Sequence, residues 1–118
     1  MKTAIASTDG KVVNQHFGRA DKFYIVETNE DTYKFELIEI REAEPVCHNG
    51  DHNDSSMSTA VERLSDCQYI LVSRIGMRAR NEFEKRNIEV FEIPEIINDA
   101  VEKMLKYIKV QKLLKKDI

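Results

Sequence analysis

Two strand-like runs separated by one polar tetrapeptide constrain the fold more than any other feature of this chain. Residues 22–28 and 33–41 are rich in β-branched and aromatic residues, and the polar segment 29–32 separates them. Two such runs flanking a short polar segment are typical of a β-hairpin. The second run alternates apolar and polar positions from Tyr33 to Leu37, which predicts a strand with one exposed face.

Apolar periodicity on either side of the hairpin predicts an α/β domain. The order of strand, hairpin, helix, strand, helix, strand and helix predicts a five-stranded mixed sheet with helices on its faces. With 118 residues and no linker, the chain is expected to be a single domain over 1–118. Asn87 is predicted to end the second helix in the left-handed conformation. The remaining strands are predicted over 2–7, 68–73 and 88–93, and the helices over 55–66, from Gly76 to Arg86 and after Pro94.

Charge, hydropathy and cysteine content argue against several classes of partner. The formal net charge of -3 gives no overall basic field for nucleic acid or an anionic membrane surface. No apolar stretch reaches the length of a membrane-spanning helix, and residues 1–7 lack the pattern of a signal peptide. Two cysteines without an export signal are typical of thiols in a reducing compartment. We therefore expect a cytoplasmic protein with no nucleic-acid or membrane partner.

Three polar loops are expected to meet at one end of the predicted sheet. If the first three strands form an antiparallel meander, the loops at 8–21 and 42–54 lie together, away from the hairpin turn. A right-handed crossover makes the strand at 68–73 parallel to the first strand and places the turn at 73–76 at the same end. Ligands of open sheets bind outside the carboxyl ends of parallel strands. The topology therefore predicts a ligand site there.

The histidines and cysteines of the chain are concentrated in two of these loops. Four of the five, His16, Cys47, His48 and His52, lie there, and imidazole and thiolate bind zinc and iron–sulfur clusters. Zinc is the weaker alternative, because the Cys-His-x3-His segment lacks a paired Cys-x2-Cys spacing. An exposed histidine with only a hydrogen-bonding role is the alternative for His16. Cys67 precedes an apolar strand and is predicted to fill the core instead.

Two arginines and a glycine are expected beside these candidate ligands. Arg19 and Arg74 fall at the predicted ligand end and can balance the negative charge of a metal cluster. The turn at Gly76 presents the amides of a helix amino terminus, which also bind anions. The alternative for both arginines is that they are simply solvated. We include Arg19, Arg74 and Gly76 in the predicted cofactor site.

Three segments of the sequence resemble one known family. They are Val-Asn-Gln-His-Phe-Gly-Arg-Ala over 13–20, Pro45-x-Cys47, and the run from Leu64 to Gly76. Together they resemble the nitrogenase iron–molybdenum cofactor biosynthesis family, which includes NifX, NafY and the carboxyl-terminal domain of NifB. The resemblance spans residues 1 to about 102. It implies a ribonuclease-H-like three-layer α/β fold and a protein that binds an iron–sulfur or iron–molybdenum cofactor, or its precursor, as cargo.

The resemblance also assigns roles to single residues. His16 matches the family's cofactor-binding histidine, and Cys47 matches a cysteine of the NifB-type domain. The chain lacks the radical-SAM Cys-x3-Cys-x2-Cys motif of full-length NifB, so the resemblance does not bring NifB's synthetic activity with it. After Gly76 the turn reads Met-Arg-Ala-Arg, without the cysteine–proline pair of some relatives.

We expect a non-catalytic carrier that works with nitrogenase cofactor-assembly proteins. An enzyme is the least expected class, because the sequence offers no nucleophile–base pair. Asp9 alone cannot supply the carboxylate cluster of a ribonuclease-H-like nuclease. The alternative is a metal-binding or partner-binding regulatory module of the same fold with no nitrogenase role. The sequence leaves the oligomeric state open.

Overall fold

The computed structural model describes residues 1–45 and 54–116, which form five strands, three α-helices and one short 3-10 helix. Cys47, His48 and His52 lie outside the described residues. The strands are β1 (Lys2–Ala6), β2 (Lys22–Thr28), β3 (Phe35–Glu42), β4 (Tyr69–Val72) and β5 (Glu89–Glu92). The α-helices are α1 (Asp54–Glu62), α2 (Met77–Lys85) and α3 (Ile97–Lys116), and the 3-10 helix is Phe17–Arg19.

The described strands form one mixed sheet in the order β3-β2-β1-β4-β5. β1, β2 and β3 form an antiparallel meander, and β4 and β5 run parallel to β1. Both the predicted meander and the predicted parallel strands are confirmed. Because β1, β4 and β5 are parallel, their carboxyl ends lie at one end of the sheet, which we call the carboxyl end. The hairpin turn between β2 and β3 lies at the opposite end.

Alternating side chains of the central strands build an apolar core on each face of the sheet. Ala4 and Ile70 belong to a core shared with α1 and α2, whereas Ile5 and Leu71 belong to a core shared with α3. This division follows from the two-residue repeat of a strand. Helices therefore cover both faces, and the predicted α/β architecture with a five-stranded mixed sheet is confirmed.

The hairpin turn is longer than the sequence predicts. β3 begins at Phe35 rather than at Tyr33. Tyr33 has a φ of 60°, and its amide donates a hydrogen bond to the carbonyl of Asn29 at 2.9 Å. A residue with this left-handed backbone cannot continue a strand. The prediction that the second strand begins at Tyr33 is therefore wrong.

A β-bulge also changes which residues of β3 share a face. The register shifts so that Leu37 pairs with Val26 and Ile40 pairs with Tyr24, which leaves Ile38 as the extra residue. A bulge of this kind moves the following side chains to the other face of the strand. The predicted alternation therefore ends at Leu37, and Ile40 joins Leu37 on the face that carries α3. Both side chains are about half exposed, at 53% and 50%.

The remaining elements lie close to their predicted bounds. α1 ends at Glu62 rather than at residue 66, because tight turns follow in which Leu64 and Cys67 donate to carbonyls three residues back. Asn87 has a φ of 59° and ends α2 as predicted. Cys67 is buried as predicted, and burial raises the pKa of its thiol to about 12. No helix in the described part of the chain is long and apolar enough to cross a membrane.

Candidate functional site

The loop between β1 and β2 holds His16 at the carboxyl end of the sheet. Phe17 is buried, and its ring lies 6.1 Å from that of Phe23 and 5.2 Å from that of Phe83, between ring centroids. Val13 is buried in the core on the other face of the sheet. Apolar residues therefore fix the loop on both sides of His16, whereas His16 itself is exposed.

Backbone pairing places His16 beside the turn that follows β4. His16 and Arg74 form an isolated parallel β-bridge. The amide of Phe17 donates to the carbonyl of Arg74 at 2.9 Å, and the amide of Ser73 donates to the carbonyl of Gln15 at 3.0 Å. These two hydrogen bonds fix the loop by its main chain. The side chain of His16 is therefore not needed to hold the loop in place.

The same turn leads directly into the amino end of α2. Gly76 is the N-cap residue with extended backbone, and as a glycine it has no side chain to cap the helix. A Cβ atom at Gly76 would meet no heavy atom within 4 Å, so the space in front of this turn is open. The first amides of a helix carry partial positive charge and have no partner within the helix. This end of α2 can therefore accept an anionic ligand.

The cations at this end differ in whether a carboxylate neutralises them. Arg80 pairs with Glu92 at 2.6 Å, and Glu92 also accepts a hydrogen bond from the amide of Ile75 at 3.3 Å. Arg19 and Arg74 are exposed and form no ion pair within residues 1–45 and 54–116. Both arginines thus keep their charge available beside His16.

Two buried oxygen atoms next to His16 and Arg74 lack hydrogen-bond partners. In the described part of the chain, the buried side-chain oxygens without a partner are those of Thr3, Gln15 and Ser73. Leaving such an atom unpaired costs about 1–3 kcal/mol, and a functional role is one accepted reason for it. Neither Gln15 nor Ser73 is among the site residues predicted from sequence. Their only sequence signal is that they directly precede His16 and Arg74.

A cavity of about 530 Å³ lies beside this loop, between the 3-10 helix, the ends of β2 and β3, and α1. Its wall includes Phe17, Phe23 and Pro45. The amide of Ala43 donates to the carbonyl of Asp21 at 2.9 Å, which ties the chain after β3 to the loop before β2. The two predicted ligand loops therefore approach each other as far as Pro45, the last described residue before position 54.

The start of the His16 loop is a tight turn built on Asp9. Its carboxylate accepts hydrogen bonds from the amides of Lys11 and Val12 at 2.8 and 3.3 Å, and these bonds lower the pKa of Asp9. Gly10 has a φ of 74°, and a Cβ there would lie 2.8 Å from the ring of Tyr24. Asp9 and Gly10 thus shape the loop, and the hydrogen bonds of this turn explain why a carboxylate is present at position 9.

The structure brings together four of the seven predicted cofactor-binding residues. His16, Arg19, Arg74 and Gly76 lie on the two segments joined by the β-bridge. The other three, Cys47, His48 and His52, lie outside the described residues, and their role as ligands remains a prediction. Over residues 1–45 and 54–116, no group of three or more His, Cys, Asp or Glu side chains could hold a metal ion.

Comparisons with known proteins place the sequence among nitrogenase cofactor proteins. Residues 1–107 match the family model described as dinitrogenase iron-molybdenum cofactor. The chain is 36% identical over 101 residues to the FeMo cofactor biosynthesis protein NifB of Frankia alni, covering 83% of this chain and 19% of that protein. It is 30% identical over 98 residues to NifB of Chlorobaculum tepidum, covering 83% and 22%. The chain thus spans about a fifth of the length of these relatives.

Solved structures with the same fold include two crystal structures. The structure of PH0822 matches with a TM-score of 0.68 and 23% identity, covering 90% of this chain and 89% of that one. A candidate dinitrogenase from Methanocaldococcus jannaschii matches with a TM-score of 0.57 and 18% identity, covering 90% and 88%. At these identities the likeness shows a shared fold and says nothing of the ligand.

Proposed function

The chain belongs to the dinitrogenase iron-molybdenum cofactor family, and we propose that it binds an iron–sulfur or iron–molybdenum cofactor, or a precursor, as cargo. In this proposal the chain carries the cargo between nitrogenase cofactor-assembly proteins and performs no chemistry on it. The matched part of NifB is only about a fifth of that protein. This agrees with a binding role for the domain alone. We also propose the ribonuclease-H-like description of the fold, which the strand order β3-β2-β1-β4-β5 supports.

The observation that carries this proposal is the β-bridge between His16 and Arg74. It holds an exposed imidazole beside a helix amino terminus whose N-cap residue is a glycine, and beside two arginines without ion pairs among the described residues. An iron–sulfur species needs a ligand for an exchangeable iron and positive charge for its anionic core. This arrangement supplies both.

Each residue has a defined part in the proposed site. His16 binds an iron through an imidazole nitrogen, and Arg19 and Arg74 balance the charge of the cargo together with the first amides of α2. The unpaired oxygens of Gln15 and Ser73 can hydrogen-bond to the cargo or to water around it. Cys47 is proposed as the second ligand because an ionised thiol binds iron strongly. His48 and His52 are proposed as further ligands from the same segment.

Anaerobic titration with a purified cluster-donor protein tests the proposal. The wild-type chain is expected to gain visible absorption from the bound cluster, with iron and sulfide in the recovered protein. His16→Ala is expected to lower the affinity at least tenfold, about 1.4 kcal/mol, because it removes an iron ligand. Lys34→Ala serves as the matched control, since this exposed side chain lies at the hairpin end of the sheet.

Each outcome of the titration has a distinct meaning. Unchanged binding in His16→Ala removes His16 from the site, and the absence of binding by the wild-type chain removes the carrier function. A protein that contains zinc alone after anaerobic purification supports the simple metal-binding module instead. Equal losses in His16→Ala and Lys34→Ala would show a general effect on folding, which circular dichroism of both variants checks directly.

A further inference from the structure

Glu92 links β5 to the turn that carries Arg74. It is the last residue of β5, and in the sheet register it lies beside Val72, the last residue of β4. Its Oε2 atom accepts a hydrogen bond from the amide of Ile75 at 3.3 Å. A single carboxylate therefore connects the edge strand to the segment that leads into α2.

The turn after β4 is held from two sides. On one side it is bonded to the main chain of the His16 loop, because the amide of Phe17 donates to Arg74 and the amide of Ser73 donates to Gln15. On the other side lies β5, since β4 is between β1 and β5 in the sheet. The carboxylate of Glu92 provides the hydrogen bond on that side. Without it, all described hydrogen bonds of residues 73–75 would run to the His16 loop.

Arg80 orients this carboxylate and neutralises its charge. The guanidinium pairs with Glu92 at 2.6 Å and also donates to the carbonyl of Val90 at 3.1 Å. Arg80 lies in the first turn of α2, where its amide donates to the carbonyl of Gly76 at 3.1 Å. A carboxylate that is bonded at both oxygens is held in one orientation by its partners. Because of the ion pair, Glu92 adds no net negative charge beside a site for an anionic cargo.

The hydrogen bond to Glu92 lies just outside the amino end of α2. The amides that have no partner inside the helix begin at the N-cap residue, Gly76. Glu92 accepts from Ile75 instead, which is one residue before the N-cap. A carboxylate that competed with an anionic cargo would be expected on the amides of the helix itself. The position of Glu92 therefore favours a role in holding the turn over a role in blocking the site.

We propose that Glu92 is a positioning residue of the cargo site, an inference that rests on the proposed function. In this role its carboxylate touches no cargo. It holds the amide of Ile75, and thereby keeps Arg74 and the amino end of α2 in place beside His16. Groups that are already in the binding arrangement bind a ligand more tightly, because less order has to be imposed when the ligand arrives. Glu92 thus raises the affinity for an anionic cargo although it is itself an anion.

Three variants separate the hydrogen bond to Ile75 from the ion pair with Arg80. Glu92→Ala removes both. Glu92→Gln keeps a side-chain oxygen that can accept from the Ile75 amide, but it removes the negative charge that pairs with Arg80. Glu95→Ala is the matched control, because the side chain of Glu95 is 37% exposed, against 39% for Glu92, and also forms an ion pair at 2.6 Å, with Lys103 on α3.

Cluster affinity and thermal stability are expected to respond to different bonds of this one side chain. In the anaerobic titration with the cluster donor, Glu92→Ala should raise the Kd at least about tenfold, whereas Glu92→Gln should stay within about threefold of wild type. Both variants lose the same ion pair and should lower the Tm by a similar amount, about 5 °C or less. Glu95→Ala should lower the Tm comparably and leave the Kd unchanged. Without cluster, hydrogen exchange of the Ile75 amide should be faster in Glu92→Ala than in Glu92→Gln.

The outcomes distinguish the role of Glu92 from the proposed function. A wild-type chain that binds no cluster overturns the proposed function, and the positioning role falls with it. If the wild-type chain does bind the cluster, four results overturn the positioning role alone. These are unchanged or tighter binding in Glu92→Ala, equal weakening in Glu92→Ala and Glu92→Gln, an equal loss in Glu95→Ala, and an exchange rate of the Ile75 amide that Glu92→Ala does not change.

Discussion

Two arginine environments in this molecule differ in the number of partners that they hold. Arg41 has a half-buried side chain and donates to both carboxylate oxygens of Asp66, at 2.8 and 2.6 Å, and to the carbonyl of Arg63 at 2.9 Å. Arg74 is exposed and forms no ion pair within the described residues, although its main chain is hydrogen-bonded to the His16 loop. The side chain of Arg41 is thus bonded within the fold, whereas the side chain of Arg74 forms no ion pair with a described residue.

The difference separates residues that stabilise the fold from residues that are available to a ligand. Charged side chains that a fold uses are bonded to several partners, as Arg41 is. At the carboxyl end, backbone bonds and the buried ring of Phe17 hold the loop, while the side chains of His16, Arg19 and Arg74 form no ion pair or hydrogen bond with a described residue. Mutations at the two places should therefore affect different measurements.

The largest effect on stability is expected from removing the buried ring of Phe17, which holds the His16 loop at the carboxyl end of the sheet. Phe17→Ala leaves a cavity against Phe23 and Phe83 and should lower the free energy of unfolding by about 3–5 kcal/mol. Urea denaturation measures this loss. Met77→Ala is the control, because the side chain of Met77 is 71% exposed. A loss below about 1 kcal/mol for Phe17→Ala would mean that packing does not hold the His16 loop.

A smaller effect is expected from the ion network of Arg41. Bonding to Arg41 and Lys2 holds the pKa of Asp66 well below its usual range. Since the pKa of the folded state is the lower one, the network stabilises the protein above about pH 4 and loses this effect as the pH falls further. Asp66→Asn should cost about 1 kcal/mol at neutral pH, because the carboxylate is partly exposed and screened by water.

Unfolding curves of wild type and Asp66→Asn at several pH values check this expectation. The two free energies should differ at neutral pH and converge as the pH falls toward 2, where the wild-type carboxylate also takes up a proton. A difference that stays constant down to that pH would assign the loss to packing rather than to charge. Asp21→Asn is a matched control, since Asp21 is exposed and forms no ion pair with a described residue.

Much of the fold could be predicted from sequence because it depends on periodicity and on local backbone preferences. The bounds of β2 are those predicted, and Asn87 and Cys67 behave as expected. The wrong predictions concern features that depend on contacts with other parts of the chain. The left-handed Tyr33 and the bulge at Ile38 are fixed by turn closure and strand pairing, which leave no distinct pattern in a single sequence.

The candidate site was predictable to the extent that topology determines it. Parallel strands and right-handed crossovers are sufficient to bring the loop of His16 to the turn of Arg74 and Gly76. The unpaired oxygens of Gln15 and Ser73 depend on burial and distance, and residue type alone does not indicate them. The sequence thus predicts which segments meet, whereas only the structure shows which buried atoms lack hydrogen-bond partners.

The smallest effect on stability is expected at Arg74. The same substitution at Arg41 and at Arg74 gives the sharpest contrast between the two arginine environments. Arg41→Gln should lower the free energy of unfolding by about 1 kcal/mol, since it breaks the bonds to Asp66. Arg74→Gln should change that free energy by less than about 0.5 kcal/mol, as is usual for an exposed residue without partners. It should nevertheless weaken cluster binding in the anaerobic titration, because it removes positive charge beside His16. If instead Arg74→Gln unfolds the protein as readily as Arg41→Gln while cluster binding is unchanged, Arg74 belongs with the structural arginines and the contrast between the two environments disappears.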